Sequence, residues 1–253
     1  MMRRFLFGSC FAVLMAGACG SIDAALIEFS AGHADIGVAL ENGDLELHYH
    51  FGSNAVLDGV TQGVDTEYPP QDIYVRVSDS LKITNAPLQL VGLGSGPGDA
   101  WILPQTSVSG APFLGIATED LPLNFGSTQF SLVGMSGPGE FALWANSGFG
   151  LTTYMSTYDG LSSSDQVTLP AATHAHFSYG FTAPGVYELS LQAKSLSNPS
   201  LSDLNVFTFV VGDATAPPVG PTAVPEPTSL MLAGLGALGL CGASLRRRSK
   251  ATA

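Results

Sequence analysis

The middle of this chain contains no cysteine. Of its 253 residues only three are Cys, and Cys10, Cys19 and Cys241 all lie in the terminal segments. Between those segments a disulfide framework and a thiolate metal site are both excluded. Any metal there must be held by imidazole and carboxylate. Positive charge is almost as scarce. Nine Lys and Arg face 21 Asp and Glu, a formal net charge of −12. Six of the nine belong to the ends (Arg3, Arg4, Arg246, Arg247, Arg248 and Lys250), so the middle keeps only Arg76, Lys82 and Lys194. With Asp23 and Glu226 set aside as well, 19 acids remain and the central charge is about −16. That balance excludes nucleic acid as a partner, because counterion release needs a basic face. It favours solubility and attracts cations. Long apolar runs and helical periodicity are missing outside the ends.

The ends themselves carry two signals. Met1-Met-Arg-Arg4 is followed by an apolar run from Phe5 to about Ala18 and then by small residues up to Ala24. This is the layout of a secretory signal peptide over residues 1–24, with its apolar part helical. At the other end Val224-Pro-Glu-Pro227 precedes an apolar run, Leu230 to Leu245, and then Arg246-Arg-Arg248 and Lys250. The run is slightly short for a bilayer span, and its basic tail stays cytoplasmic by the positive-inside bias. Pro225, Glu226 and Pro227 together with Arg246, Arg247 and Arg248 resemble a PEP-CTERM sorting signal, here residues 224–253. The resemblance implies export through the inner membrane of a bacterium that has an outer membrane. It also implies an exosortase-type processing enzyme as partner, transient anchoring in the membrane by a C-terminal helix, and delivery to the cell surface or extracellular matrix. Residues 213–223 have the proline-rich composition of an extended linker.

The domain between, residues 25–212, consists of short apolar runs separated by Gly, Pro, Asn, Asp and Ser clusters. The pattern predicts an all-β fold, a single antiparallel β-sandwich. Leu26–Phe29 and Ile36–Leu40 read as the first two strands. Asn42-Gly43 is the strongest short hairpin signal, and Leu45–Phe51 alternates as the return strand. Its period puts Glu46, His48 and His50 on one face and Leu45, Leu47, Tyr49 and Phe51 on the core face. Residues 52–71 read as loop. The glycine-rich residues 90–99 open no helix, so a nucleotide-binding reading fails and a turn is expected.

The five histidines are clustered instead of scattered. His174 and His176 lie in Thr-His-Ala-His-Phe, His48 and His50 in Leu-His-Tyr-His, and His33 in Gly-His-Ala-Asp beside Asp35. Residues two apart on a strand share a face, so each His-x-His pair can present two imidazoles together. If the two pairs lie on neighbouring strands, His48, His50, His174 and His176 form a zinc site, with His33 and Asp35 as further ligands or as groups that orient them. Which of the five are ligands is left open, as is an ordinary solvated face. Glu119 and Asp120 are the best-placed acids between strands. No nucleophile motif or general base stands at catalytic spacing, which predicts a binding protein and not an enzyme.

Gly-His-Ala-Asp-Ile-Gly (32–37), Trp-Ile-Leu-Pro-Gln (101–105), Gly-Ile-Ala-Thr-Glu-Asp-Leu (115–121), Gly-Pro-Gly-Glu-Phe-Ala-Leu-Trp (137–144) and Thr-His-Ala-His-Phe-Ser-Tyr-Gly-Phe-Thr-Ala-Pro-Gly-Val-Tyr (173–187) resemble the choice-of-anchor M domain. The resemblance implies a surface role, expression under a zinc-uptake repressor and association with a metal ABC transporter. The competing expectation is a structural or adhesive matrix domain that binds extracellular polysaccharide through Trp101, Trp144 or Tyr154.

Overall fold

The structure, a computed structural model, describes residues 25–217. The signal peptide 1–24, the sorting residues Pro225, Glu226, Pro227, Arg246, Arg247 and Arg248, and the expected anchor helix lie outside the described residues, as does the linker beyond residue 217. Among the described residues no helix is long and apolar enough to cross a membrane.

The chain begins with Ile27–Glu41 (β1), Asp44–Phe51 (β2), Val56–Leu57 (β3), Val60–Thr61 (β4), Thr66–Tyr68 (β5) and Ile73–Val77 (β6). It continues through Lys82–Pro87 (β7), Pro97–Leu103 (β8), Pro112–Ala117 (β9), Ser127–Ser136 (β10), Phe141–Ser147 (β11) and Gly150–Ser156 (β12). Gln166–Pro170 (β13), His174–His176 (β14), Ser178–Phe181 (β15), Gly185–Ser195 (β16) and Ser202–Val211 (β17) complete it. A four-residue helix, Leu88–Val91, closes on Gly92 in the glycine-rich stretch.

Two sheets form a sandwich, as the alternating pattern requires. The larger runs β13-β10-β16-β17-β6-β1-β2-β5, with β9 and β14 joined at β1; the smaller runs β12-β11-β15-β8-β7. Tyr179 and Phe181 of β15 face Phe209 of β17 and Tyr187 of β16 across the core, with ring centroids 4.8 to 5.9 Å apart. The pairing is antiparallel except at β1–β6, β1–β9 and β17–β6, which are parallel. Between β6 and β9 the chain visits the smaller sheet as β7 and β8. It therefore returns alongside β1 in the same direction, where a hairpin would have reversed it.

Strand β1 is one element of 15 residues where the sequence reads as two. Its polar middle shows no alternation, yet its backbone is held on both sides. Ile27–Phe29 lies beside β6, while Gly32–Ile36 lies beside β9 and Ala34–Glu41 beside β2. The partners change over at Gly32, which has φ +86° and whose missing Cβ would overlap the Asn54 carbonyl. The Asn42-Gly43 hairpin forms as expected, with φ 52° and 96° at its two central residues. Residues 52–71, read as loop, contain β3, β4 and β5, too short to show a period. Trp101 and Trp144 are 5% and 6% exposed. They belong to the core, so neither offers a polysaccharide-stacking surface; Tyr154 packs edge-on against Phe177 at 5.3 Å.

Glycine at the changeover makes a testable claim about β1. Gly43→Ala, with open space around it, is expected to cost about 1 kcal/mol from its backbone angle alone. Gly32→Ala adds the overlap with Asn54 and is expected to cost at least about 3 kcal/mol. Urea unfolding of both variants checks the order.

Candidate metal centre

The His-x-His strands are not neighbours. β14 pairs with β9, β9 with β1, and β1 with β2, so two strands separate His174 and His176 from His48 and His50. The four-histidine set expected from the sequence is not assembled. Alternation fixed the face of each strand correctly but says nothing about its neighbours.

What the register builds instead is a row. His176 pairs with Gly115, Gly115 with Asp35, Asp35 with His50, and His50 with Glu67. Directly paired residues share a face, so one line of side chains crosses β14, β9, β1, β2 and β5. Flanking rungs place His174 opposite Ala117, Phe113 opposite His33, and Gly37 opposite His48. The row closes up at Gly115. A Cβ there would overlap Asp35 Oδ1 and stand 3.1 Å from the His176 ring, so glycine lets the carboxylate lean across β9.

Three ligand atoms converge at that point. His33 Nε2 is 3.3 Å from His176 Nε2 and 3.4 Å from Asp35 Oδ2. His33 and His176 share a hydrogen bond at 3.3 Å, and two atoms bound to one tetrahedral zinc at about 2.0–2.1 Å also stand about 3.3–3.4 Å apart, so the spacing suits ligand pairs on a single ion. His176 is fixed in place by stacking on Phe113, with centroids 3.7 Å apart and planes 8° apart. Asp35 is 2% exposed, and its Oδ1 has no hydrogen-bond partner. Burial raises its carboxyl above the usual range, although His33, His174 and His50 all pull it down. Burial, and then the neighbouring His33, push the His176 imidazole down to about 4, so at neutral pH it is uncharged and free to donate a lone pair.

His174 stands beside this group, its ring centroid 5.4 Å from His176 and 6.3 Å from His33. Its Nδ1 lies 2.7 Å from Glu119 Oε1, and that bond raises its pKa. A carboxylate on one ring nitrogen orients the other toward a metal. His48 and His50 sit on the far side of β1, next to Asp120 and Glu67. Sequence reasoning misses Glu67, which lies in a stretch without strand signals and is marked there only by a second acid two residues away, Asp65.

The two buried groups have opposite pH signatures. Asp35 folds with a raised pKa, so its charged form destabilises the fold at neutral pH and the penalty fades as pH falls. Asp35→Asn is expected to stabilise the metal-free protein by about 1–2 kcal/mol at pH 7, with a smaller gain near pH 4. His176 folds with a lowered pKa. Below its unfolded value of about 6.5 the unfolded chain binds a proton that the folded chain refuses, so stability falls between pH 6.5 and 4. His176→Gln is expected to flatten that part of the profile. Urea midpoints across pH 4–8 check both.

Comparison with known proteins finds the PEP-CTERM protein-sorting motif at residues 223–248. No curated protein and no solved structure matches the chain. PEP-CTERM motifs are recognised by exosortase-type processing enzymes, and the match marks this chain for export and sorting to the cell surface.

Proposed function

We propose that this surface-sorted protein binds zinc outside the cell through His33, Asp35 and His176, with His174 as the fourth ligand steadied by Glu119. The observation that carries the reading is the pair of 3.3 and 3.4 Å separations on His33 Nε2, which match two edges of a zinc tetrahedron. The buried carboxylate with one unpartnered oxygen supports it, because a cation is the partner that such a group lacks. So does the chemistry of the donors, two or three imidazoles with one carboxylate and no thiolate. Copper and nickel take similar donors, and zinc is preferred here for the tetrahedral spacing.

The role is capture or buffering without turnover. All the ligands are protonatable, so binding reverses within an ordinary pH range and the ion can be passed on. A metal ABC transporter, the partner implied by the choice-of-anchor M resemblance, is the class of receiver that fits. The matrix alternative loses two of its three anchoring aromatics, since Trp101 and Trp144 are buried and only Tyr154 is half-exposed.

Zinc titration of the metal-free protein, followed by isothermal calorimetry, tests the proposal. His33→Ala with His176→Ala is expected to weaken the tightest binding at least 100-fold while leaving the circular dichroism of the β-fold unchanged. Unchanged affinity would overturn it. Between pH 7 and pH 5 the wild-type affinity is expected to fall at least tenfold as protons compete for His174, whose pKa the bond to Glu119 raises. Asp35→Asn is expected to lose affinity despite its greater stability.

A further inference from the structure

The row of side chains continues past Asp35, and its second half has the makings of another site. His48 Nε2 lies 3.4 Å from Asp120 Oδ2, and His50 Nδ1 lies 3.9 Å from the same oxygen. Ligand atoms of His48, His50, Glu67 and Asp120 all stand within 4.8 Å of one another. Three separate stretches supply them: β2, β5 and the turn after β9. None of the four is among the ligands assigned above.

The feature that points to a ligand is His48. It is 7% exposed, and its Nε2 is buried without a hydrogen-bond partner. Its Nδ1 faces its own strand, 3.4 Å from the Glu46 carbonyl. A carbonyl accepts only from N–H, so in the neutral ring an Nδ1–H bonded to Glu46 leaves Nε2 with a bare lone pair beside Asp120. Two acceptors facing each other at 3.4 Å have no attraction unless a proton or a cation lies between them. The sheet has been cleared for this arrangement. Gly37 is paired with His48, and a Cβ on Gly37 would stand 2.7 Å from Nε2. Any side chain at position 37 would push the imidazole out of its place.

We infer that His48, His50, Asp120 and Glu67 bind a second divalent cation, so that the sheet face between β14 and β5 carries two metal ions per chain. The donor set, two imidazoles and two carboxylates, suits the same borderline cations as the first site. Its two carboxylates neutralise a divalent ion completely, whereas the first site has only Asp35. The second site is the more open of the two. Asp120 is 33% exposed and Glu67 lies on the surface, so ordering these side chains opposes binding. Asp35 and His50 are direct neighbours in the register, so the two ions repel each other. Both effects make the second ion the weaker one. The inference adds to the proposed function but uses none of its ligands, so the two can fail independently.

The test counts zinc. The full chain, untagged, in detergent and with its cysteines alkylated, is dialysed against buffered free zinc, and bound metal is measured by atomic emission. Two ions per chain are expected, the second at least 100-fold weaker than the first. His50→Gln and Asp120→Asn change half-exposed residues that the core does not need. Each is expected to remove only the weaker ion and leave the tighter affinity as it was. The His33→Ala, His176→Ala variant is expected to keep one ion, at the weaker affinity. A single ion in the wild type, abolished by His33→Ala with His176→Ala, would overturn this inference and leave the proposed function standing. Two ions retained in both His50→Gln and Asp120→Asn would overturn the ligand assignment. No bound zinc at all would overturn the inference and the proposed function together.

Discussion

The desolvation of Asp35 is the constraint around which this sheet face is arranged. A carboxylate taken out of water needs a counter-charge or a set of donors, and Asp35 has neither on its Oδ1. The domain offers no fixed cation to meet it. Arg76 is engaged with Glu28 and Lys82 with Asp99, and Lys194 lies on β16, outside the five strands that carry the row. What surrounds Asp35 instead is histidine, whose charge depends on pH. Such an arrangement is poorly stabilised on its own, and on the proposed reading an ion would supply the missing charge. A folded protein that keeps an uncompensated buried carboxylate gives up stability, and a function that needs the charge is the physical reason to keep it.

The backbone serves that constraint through two glycines and one long strand. Gly115 lets the Asp35 carboxylate reach toward His176, and Gly37 lets the His48 imidazole lie flat. Strand β1 joins two roles. Its first residues belong to the core sheet, where Glu28 accepts from Arg76 and Tyr74, and its middle carries His33 and Asp35 between β9 and β2. Arg76 also donates to the carbonyls of Gly212 and Ala214, where the chain leaves its last strand toward the linker. The strand that holds the ligands is thus tied, through Glu28 and Arg76, to the point at which the domain joins its sorting signal.

Much of this was legible in the sequence, and the limit has a physical explanation. The all-β sandwich, the Asn42-Gly43 hairpin and the inward face of Leu45, Leu47, Tyr49 and Phe51 follow from local rules: turn chemistry and period-two alternation. The grouping of the five histidines, with Asp35 beside His33, was legible too, and Glu119 and Asp120 stood out as acids between strands, but nothing in the sequence joined them to the histidines. Strand adjacency was not. That β9 and β1 separate the two His-x-His strands depends on pairings between residues up to about 60 or 80 positions apart, and alternation is the same whichever strand lies alongside. The parallel pairs were hidden for the same reason. The continuity of β1 was hidden by its polar middle, which is strand because both edges are hydrogen-bonded and not because its residues favour it. Glu67 was hidden because a three-residue strand has no period to read.

Which strands lie side by side decides the chemistry. Four histidines around one ion would make a neutral donor set, leaving a bound divalent cation with its full charge. The register instead splits the histidines and gives each group its own acid: Asp35 for His33 and His176, Asp120 and Glu67 for His48 and His50. On the proposed reading each group would neutralise part or all of a bound ion's charge within its own contacts. In a domain of about −16 the overall field already draws cations toward the surface, but that field does not distinguish one cation from another. On the proposed reading selection would come from the imidazoles, which favour zinc-like ions over the hard cations that carboxylates alone would hold. Acidity supplies the attraction and histidine the discrimination, and the row from His176 to Glu67 places both on one face.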